Sequence, residues 1–135
     1  MSKIDELYYV EENSFGEPWT RERLETELNN RLSLWETESV GGKLCAYALG
    51  RVIADEAELL KLAVAPECRR QGIAKRLLLA LHKQMKENGA EVCFLEVRAQ
   101  NLPAIALYEK LGYRRLRVIR GYYPDDDGIA MRCEL

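Results

Sequence analysis

The run Leu59-Leu60-Lys61-Leu62-Ala63-Val64-Ala65, closed by Pro66, and the turn Arg69-Arg70-Gln71-Gly72-Ile73-Ala74 after it decide the fold. The run is short, apolar and bounded by proline, the pattern of a largely buried strand. From Ile73 to Glu87 the residues Leu77, Leu78, Leu81 and Met85 recur at helical spacing. Asn88-Gly89 stops that helix, with Lys83 and Lys86 near its negative end. A glycine at the first turn of a helix lets an anion come close to the backbone, where free N–H groups and the positive end of the dipole point at it. Arg69, Arg70, Lys75 and Arg76 add positive charge around this turn. Two readings stand: a phosphate cradle at a strand-to-helix junction, or an ordinary polar turn whose basic residues face water.

Outward from this unit, residues 91–98 alternate as a strand, with Val92, Phe94 and Glu96 on one face and Cys93, Leu95 and Val97 on the other. A strand, a helix and a strand in this order place the runs 59–65 and 91–98 parallel. Asn101-Leu102-Pro103 then opens a helix that Gly112 closes. Residues 114–120 and 129–134 read as a closing hairpin. Upstream, Ile4, Leu7, Tyr8 and Glu11 mark a short helix over 4–12, and 14–18 a loop. Thr20 is an N-cap for a helix over 21–30 with Leu24 and Leu28 inward. A strand through Leu32 and Leu34, the turn Gly41-Gly42, a strand over 43–54 and a turn at Asp55-Glu56 complete an antiparallel meander. The expected fold is α/β: a mixed central sheet, an antiparallel meander plus a parallel strand pair, with helices on both faces.

The 135 residues suit one domain, 1–135. A net charge of −2 argues against general nucleic-acid binding, although basic residues gather at 69–76 and 114–120. No apolar run approaches the ~20 residues that span a bilayer, and the polar, acidic start Met1-Ser2-Lys3-Ile4-Asp5-Glu6 is unlike a signal peptide, so a cytoplasmic protein is expected. Cys45, Cys68, Cys93 and Cys133 form no C-x-x-C pair, and His82 is the single histidine, so no metal site is expected. Cys45 and Cys93 read as buried thiols, and Cys68 as a thiol near the surface.

Glu96 is the polar residue that needs a reason. A carboxylate among Cys93, Phe94, Leu95 and Val97 costs energy unless it is paired or lines a wet cleft. It is either the partner of a base such as Arg98, or a general base whose proton affinity a partly apolar setting raises. Asn101 caps the next helix and can also offer its amide to a ligand. Tyr108 belongs either to the core or, facing the cleft, to proton donation. Trp19 either staples its helix or lines a substrate groove.

Leu62-Ala63-Val64, Arg70-Gln71-Gly72-Ile73-Ala74, Leu95-Glu96-Val97-Arg98-Ala99-Gln100-Asn101 and Ala104-Ile105-Ala106-Leu107-Tyr108-Glu109-Lys110-Leu111-Gly112-Tyr113 together resemble the GNAT N-acetyltransferases. Pro18-Trp19 and Tyr122-Tyr123-Pro124 are similar to the RimI-type group within that family, the ribosomal-protein alanine N-acetyltransferases. The resemblance covers residues 59–124. It implies acetyl-coenzyme A as co-substrate, with its pyrophosphate on Arg70, Gln71, Gly72, Ile73, Ala74 and Lys75. It implies that the parallel strands splay, with the pantetheine arm inserted like a further strand along Leu62, Ala63 and Val64. It implies Glu96 as general base, Tyr108 as general acid and Asn101 as a cofactor contact.

The acceptor expected on these grounds is the N-terminal α-amine of a protein, a ribosomal one beginning with Ala, threaded between the 14–20 and 121–128 loops. An α-amine, of pKa roughly 7.7–8.0 against about 10.4 for lysine, needs less help to become a nucleophile near neutral pH. Trp19, Tyr122 and Tyr123 are the candidate acceptor contacts, with hairpin-end packing the other reading of the two tyrosines. A lysine side chain, a small amine, or a coenzyme A-binding module without turnover are the alternatives. Direct nucleic-acid and membrane contacts are not expected, and the protein is expected to be a monomer or weak homodimer. Two departures from the RimI type bear on the acceptor: the chain begins almost at the first helix, where that group has a preceding strand, and the tail after Asp127 is shorter.

Overall fold

The protein is described by a computed structural model covering residues 3–14 and 18–135. Its elements in chain order are α1 (Lys3–Ser14), α2 (Arg21–Leu28), β1 (Ser33–Val40), β2 (Lys43–Ile53), β3 (Glu56–Val64), a 3-10 turn (Pro66–Cys68), α3 (Ile73–Glu87), β4 (Val92–Arg98), α4 (Leu102–Lys110), β5 (Arg114–Tyr123) and β6 (Asp126–Glu134). The strands form one six-stranded sheet in the order β1-β2-β3-β4-β6-β5. Every neighbouring pair is antiparallel except β3 and β4. This is the mixed α/β sheet expected from the sequence. Residues 15–17 of the loop expected at 14–18 lie outside the described residues, as do Met1 and Ser2.

Strand β2 shows how the sheet acquires two cores. Ala46 and Ala48 join one apolar cluster, Tyr47 and Leu49 the other, because successive side chains in a strand point to opposite faces. On the first face lie Ile73, Leu77, Leu78, Leu81 and Met85 of α3 with Ile105 and Tyr108 of α4. On the second lie Leu7 and Val10 of α1 and Leu24 of α2. Thr20 caps α2 as expected, its hydroxyl accepting from the Arg23 N–H at 3.2 Å.

The sequence reading misplaced the start of β3. Asp55-Glu56 was expected to turn the chain, with the strand over 59–65. The turn instead lies at Ala54-Asp55, with Ala54 at φ 57°, and the strand begins at Glu56. Glu56 and Glu58 resemble turn residues in composition. Yet Ala57 between them is buried, and the Glu58 carboxylate is held by Arg51 of β2 at 2.8 Å. A bulge follows: Leu49 pairs with Lys61 and Gly50 with Leu59, so Leu60 is the extra residue. Gly50 is required there, because a Cβ would lie 2.5 Å from Met85 Cε and 2.8 Å from the Glu58 carbonyl oxygen.

The closing hairpin is also longer than 114–120 and 129–134. β5 runs to Tyr123 and β6 starts at Asp126. Acidic side chains hold this end: the Gly121 N–H donates to Asp127 Oδ1 at 2.8 Å and the Gln100 N–H to Asp126 Oδ2 at 3.0 Å. Cys68 is buried, as the other three cysteines are, contrary to the expected exposure; the 3-10 turn folds it under α3 with Cys45 and Ile73.

Candidate active site

The phosphate turn has the backbone that its glycine predicts. Gly72 is the N-cap of α3 at φ 74°, ψ 12°, and no side chain caps the helix. Arg70 is also left-handed, at φ 65°. Among the described residues, no hydrogen bond engages the backbone N–H groups of Gln71, Gly72, Ile73, Ala74 or Lys75. The four basic residues divide into two kinds. Arg76 is bound to Glu38 of β1 at 2.6 and 3.2 Å and to the Gln71 carbonyl at 3.0 Å, and Arg69 Nε donates to the Val64 carbonyl at 3.0 Å. These two shape the turn, while Arg70 and Lys75 stand exposed beside the free amides. Glu38 was not foreseen as part of this turn, since nothing in the sequence joins it to Arg76.

Strands β3 and β4 pair only at Glu56–Val92, Ala57–Cys93 and Glu58–Phe94. Beyond Glu58 and Phe94 they part, so the splayed parallel pair implied by the resemblance is present. The hydrogen bonds on the outer sides tell which groups line the gap. The Ala65 N–H donates to Cys45 of β2 at 2.8 Å, so alternation turns the main chain of Leu62 and Val64 toward β4, while Ala63 faces β2. The Ala99 N–H donates to Asp127 at 2.9 Å, so Glu96 and Arg98 turn their main chain toward β3. The Val64 carbonyl is further used by Arg69 and by the Ser14 hydroxyl at 3.3 Å. The remaining unpaired groups suit an extended arm that carries amides of its own.

Glu96 is half-buried on β4, on the face shared with Phe94. It does not pair with Arg98, whose guanidinium binds Asp125 and lies 4.4 Å from the Tyr123 ring centroid. Its hydrogen-bond partner is the Tyr122 hydroxyl, which donates at 3.1 Å. Tyr122 is itself about half exposed and meets Tyr123 edge-on at 5.0 Å. Tyr108 lies on the opposite face of the sheet, in the core with α3. Burial pushes its hydroxyl up to about 12, so it stays protonated across the neutral range. Among the described residues that hydroxyl has no hydrogen-bond partner, and Trp35 Nε1 is the one fully enclosed, unpartnered side-chain atom; the Tyr108 oxygen therefore reaches an opening. A carboxylate on one face of the sheet and a protonated phenol on the other can take a proton at one end of a transfer and supply one at the other.

The acetyltransferase (GNAT) family profile matches residues 4–113. The chain belongs to the GNAT acetyltransferase family. It is 38% identical over 122 residues to the [ribosomal protein bS18]-alanine N-acetyltransferase of Escherichia coli K12, covering 90% of this chain and 81% of that protein. The crystal structure of the ribosomal-protein-S18-alanine N-acetyltransferase from Escherichia coli superposes with a TM-score of 0.92 at 32% identity, over 99% of this chain and 90% of that one. The PaiA N-acetyltransferase from Thermoplasma acidophilum, in complex with coenzyme A, superposes with a TM-score of 0.82 at 25% identity, over 98% of this chain and 92% of that one.

As a GNAT enzyme the protein uses acetyl-coenzyme A as co-substrate. The residues fit that group: free amides and exposed basic side chains at the Gly72 turn match a diphosphate, and the unpaired main chain of the β3–β4 gap matches an amide-bearing arm. Among the described residues no cluster of three His, Cys, Asp or Glu side chains could hold a metal. Asn101 caps α4, its side-chain oxygen accepting from the Ala104 N–H at 3.3 Å, and it lines a hollow with Arg98, Gln100, Asp125 and Asp126.

The α1 side of this GNAT site holds residues that the sequence reading left as helix-face positions. Glu11 is completely buried. It accepts from the Trp19 N–H at 2.7 Å, from Lys61 Nζ at 2.9 Å and from the Tyr47 hydroxyl. Burial lowers the Lys61 pKa against the opposing pull of Glu11, and burial followed by Glu11 raises that of Tyr47. The one available signal was a carboxylate on the apolar stripe of α1, spaced with Ile4, Leu7 and Tyr8. Trp19 is half-buried and packs against the cluster that contains Leu24, with Arg23 Cζ 3.8 Å and Lys61 Nζ 4.7 Å from its ring centroid.

Proposed function

We propose that this protein transfers an acetyl group to the N-terminal α-amine of a ribosomal protein that begins with alanine. The observation that carries the reading is Glu96. It is a half-buried carboxylate on the β4 edge that has left β3, bonded among the described residues by a tyrosine hydroxyl alone, beside a gap that suits an amide-bearing arm. The likeness to the bS18-alanine N-acetyltransferases supplies the acceptor class.

Arg70, Gln71, Gly72, Ile73, Ala74 and Lys75 hold the pyrophosphate, Leu62, Ala63 and Val64 the pantetheine arm, and Asn101 adds a cofactor contact. Bound there, acetyl-coenzyme A supplies an acyl group activated as a thioester. Glu96 takes the proton of the amine, directly or through a water. The Leu62 and Val64 N–H groups offer donors to negative charge that develops in the gap. The Tyr108 hydroxyl, held protonated by its burial, donates to the departing thiolate. Trp19, Tyr122 and Tyr123 border the acceptor peptide. Proximity of two bound substrates supplies much of the rate, so no covalent enzyme intermediate is needed. The same reading has residues 1–135 as one acetyltransferase domain that works in the cytoplasm, as a monomer or weak homodimer without direct nucleic-acid contact. Among the described residues no helix is long and apolar enough to cross a membrane.

The test is an assay of the purified protein with acetyl-coenzyme A and three acceptors: a ribosomal-type peptide starting with Ala, the same peptide with a blocked N-terminus, and a free polyamine. Turnover of the first alone supports the proposal. Equal turnover of the blocked peptide or preference for the polyamine moves the acceptor to a lysine or a small amine, and cofactor binding without any turnover removes the enzyme reading.

A further inference from the structure

We infer that Glu11 is a positioning residue for the acceptor: it fixes the Trp19 wall of the acceptor groove to the unpaired half of β3. The inference rests on the peptide-acceptor reading above for what the groove holds.

Glu11 is the one polar or charged residue buried among the described residues. A buried ion pair adds little net stability over an apolar packing of the same volume, so its carboxylate is best explained by what it orients. Its three donors come from three separate places. The Trp19 main chain precedes α2, Lys61 follows the bulge at Leu60 on β3, and Tyr47 lies on β2. Two of them bear on the site. Lys61 directly precedes Leu62, where the main chain begins to face the gap, and its ammonium also lies 4.7 Å from the Trp19 ring centroid. The bulge is what makes this possible, since the extra residue turns Lys61 to the α1 face.

Ser14 and Trp19 are thus both tied to β3, one directly and one through Glu11. The Ser14 hydroxyl donates to the Val64 carbonyl at 3.3 Å. The Trp19 N–H reaches Lys61 through the Glu11 carboxylate, 2.7 Å to one and 2.9 Å to the other. Lys61 and Val64 both lie in the segment of β3 beyond Glu58, which has left β4. The wall and the gap therefore share one rigid frame, and Glu11 is the joint. Trp19 and Lys61 share one oxygen, Oε2; in Glu11→Gln that oxygen carries no charge, so both bonds lose their charge assistance and the Trp19 anchor loosens, while the cofactor turn at Gly72 is untouched.

The experiment measures KM for the Ala-starting peptide and for acetyl-coenzyme A separately. Glu11→Gln is expected to raise the peptide KM by about tenfold and to leave the acetyl-coenzyme A KM within about twofold. Trp19→Ala is expected to raise the peptide KM as well, and Glu11→Gln added to it to have no further effect, because the carboxylate acts through that residue. Tyr47→Phe, which removes a donor to the same carboxylate but leaves the Trp19 anchor, is the control and should leave both constants within about twofold. Parallel rises in both constants, additive effects of Glu11→Gln and Trp19→Ala, or an equal effect of Tyr47→Phe would overturn the inference. The anchoring is also read without the acceptor. In a Trp35→Phe background the remaining emission is that of Trp19, and Glu11→Gln should shift it to the red and increase its quenching by acrylamide. An unchanged spectrum overturns the anchoring itself. Absence of turnover on the peptide by the unmodified protein would instead sink the acceptor reading, and with it the claim that the wall serves a peptide.

Discussion

The hydroxyl of Tyr122 donates to the carboxylate of Glu96 at 3.1 Å, and no other hydrogen bond to that carboxylate is present among the described residues. A single donor from a half-exposed tyrosine aims the carboxylate without closing it off. Gly128 allows this: a Cβ there would lie 3.0 Å from Tyr122 Cβ and Cδ2, so the ring lies tight against the strand opposite. Tyr122→Phe should therefore lower kcat/KM for the peptide by about tenfold, the loss of one hydrogen bond to a charged group, with coenzyme A affinity unchanged. Steady-state kinetics with calorimetric binding checks it, and a parallel loss of cofactor affinity would show that the ring serves the fold instead.

Glu96→Gln keeps the size of the side chain and removes its basicity. Turnover should fall by about 10²–10⁴, the usual worth of a general base, while acetyl-coenzyme A binds as before. Turnover at the unmodified rate would take Glu96 out of the proton transfer.

Tyr108→Phe removes the hydroxyl that reaches an opening from the core. A fall in kcat with little change in either KM is the expected result from single-turnover and steady-state rates. A normal kcat would return Tyr108 to a packing role with Tyr113, whose ring centroid lies 5.7 Å away.

Gly72 holds a left-handed conformation that costs a residue with a Cβ about 1–2 kcal/mol. Gly72→Ala meets only an ordinary contact, Arg76 Nη1 at 3.5 Å, so the chain should fold. Its effect should be a weaker hold on coenzyme A, by roughly tenfold in Kd, larger than the effect on pantetheine, a fragment that lacks the pyrophosphate. Equal weakening of fragments with and without the pyrophosphate would remove the cradle.

His82 is the single histidine, and burial lowers its pKa below 6.5 while its Nε2 sits 2.7 Å from the Tyr113 hydroxyl. Its folded value lies below its unfolded one, so the unfolded chain binds the extra proton first. The stability tied to neutral His82 is complete above about pH 6.5 and is lost as pH falls from there through the folded value. Thermal melts from pH 5 to 8 should show this slope in the unmodified protein, and a smaller slope below pH 6.5 in His82→Gln.

Much of this was legible where the signal is local. The strand, glycine turn and helix at 59–87, the caps Thr20 and Asn101 and the Gly41-Gly42 turn follow from residue chemistry at neighbouring positions, and the structure has them. The start of β3 was not legible, because Glu56 and Glu58 carry turn composition and their strand character comes from Ala57 and from Arg51 across the sheet. The bulge at Leu60 was hidden for the same reason: it is a relation between two strands. Glu11 and Glu38 are the clearest cases. Each is one more acidic residue on a charged chain until tertiary folding brings Lys61, Tyr47 and Trp19 to the first and Arg76 to the second.

The most direct measurement is mass spectrometry of intact ribosomal proteins from cells that lack this protein, complemented with the unmodified chain or with Glu96→Gln. The account predicts that one ribosomal protein beginning with alanine loses the mass of a single N-terminal acetyl group in its absence, regains it with the unmodified chain and does not regain it with Glu96→Gln. An N-terminal acetylation pattern that is the same in all three strains would contradict it.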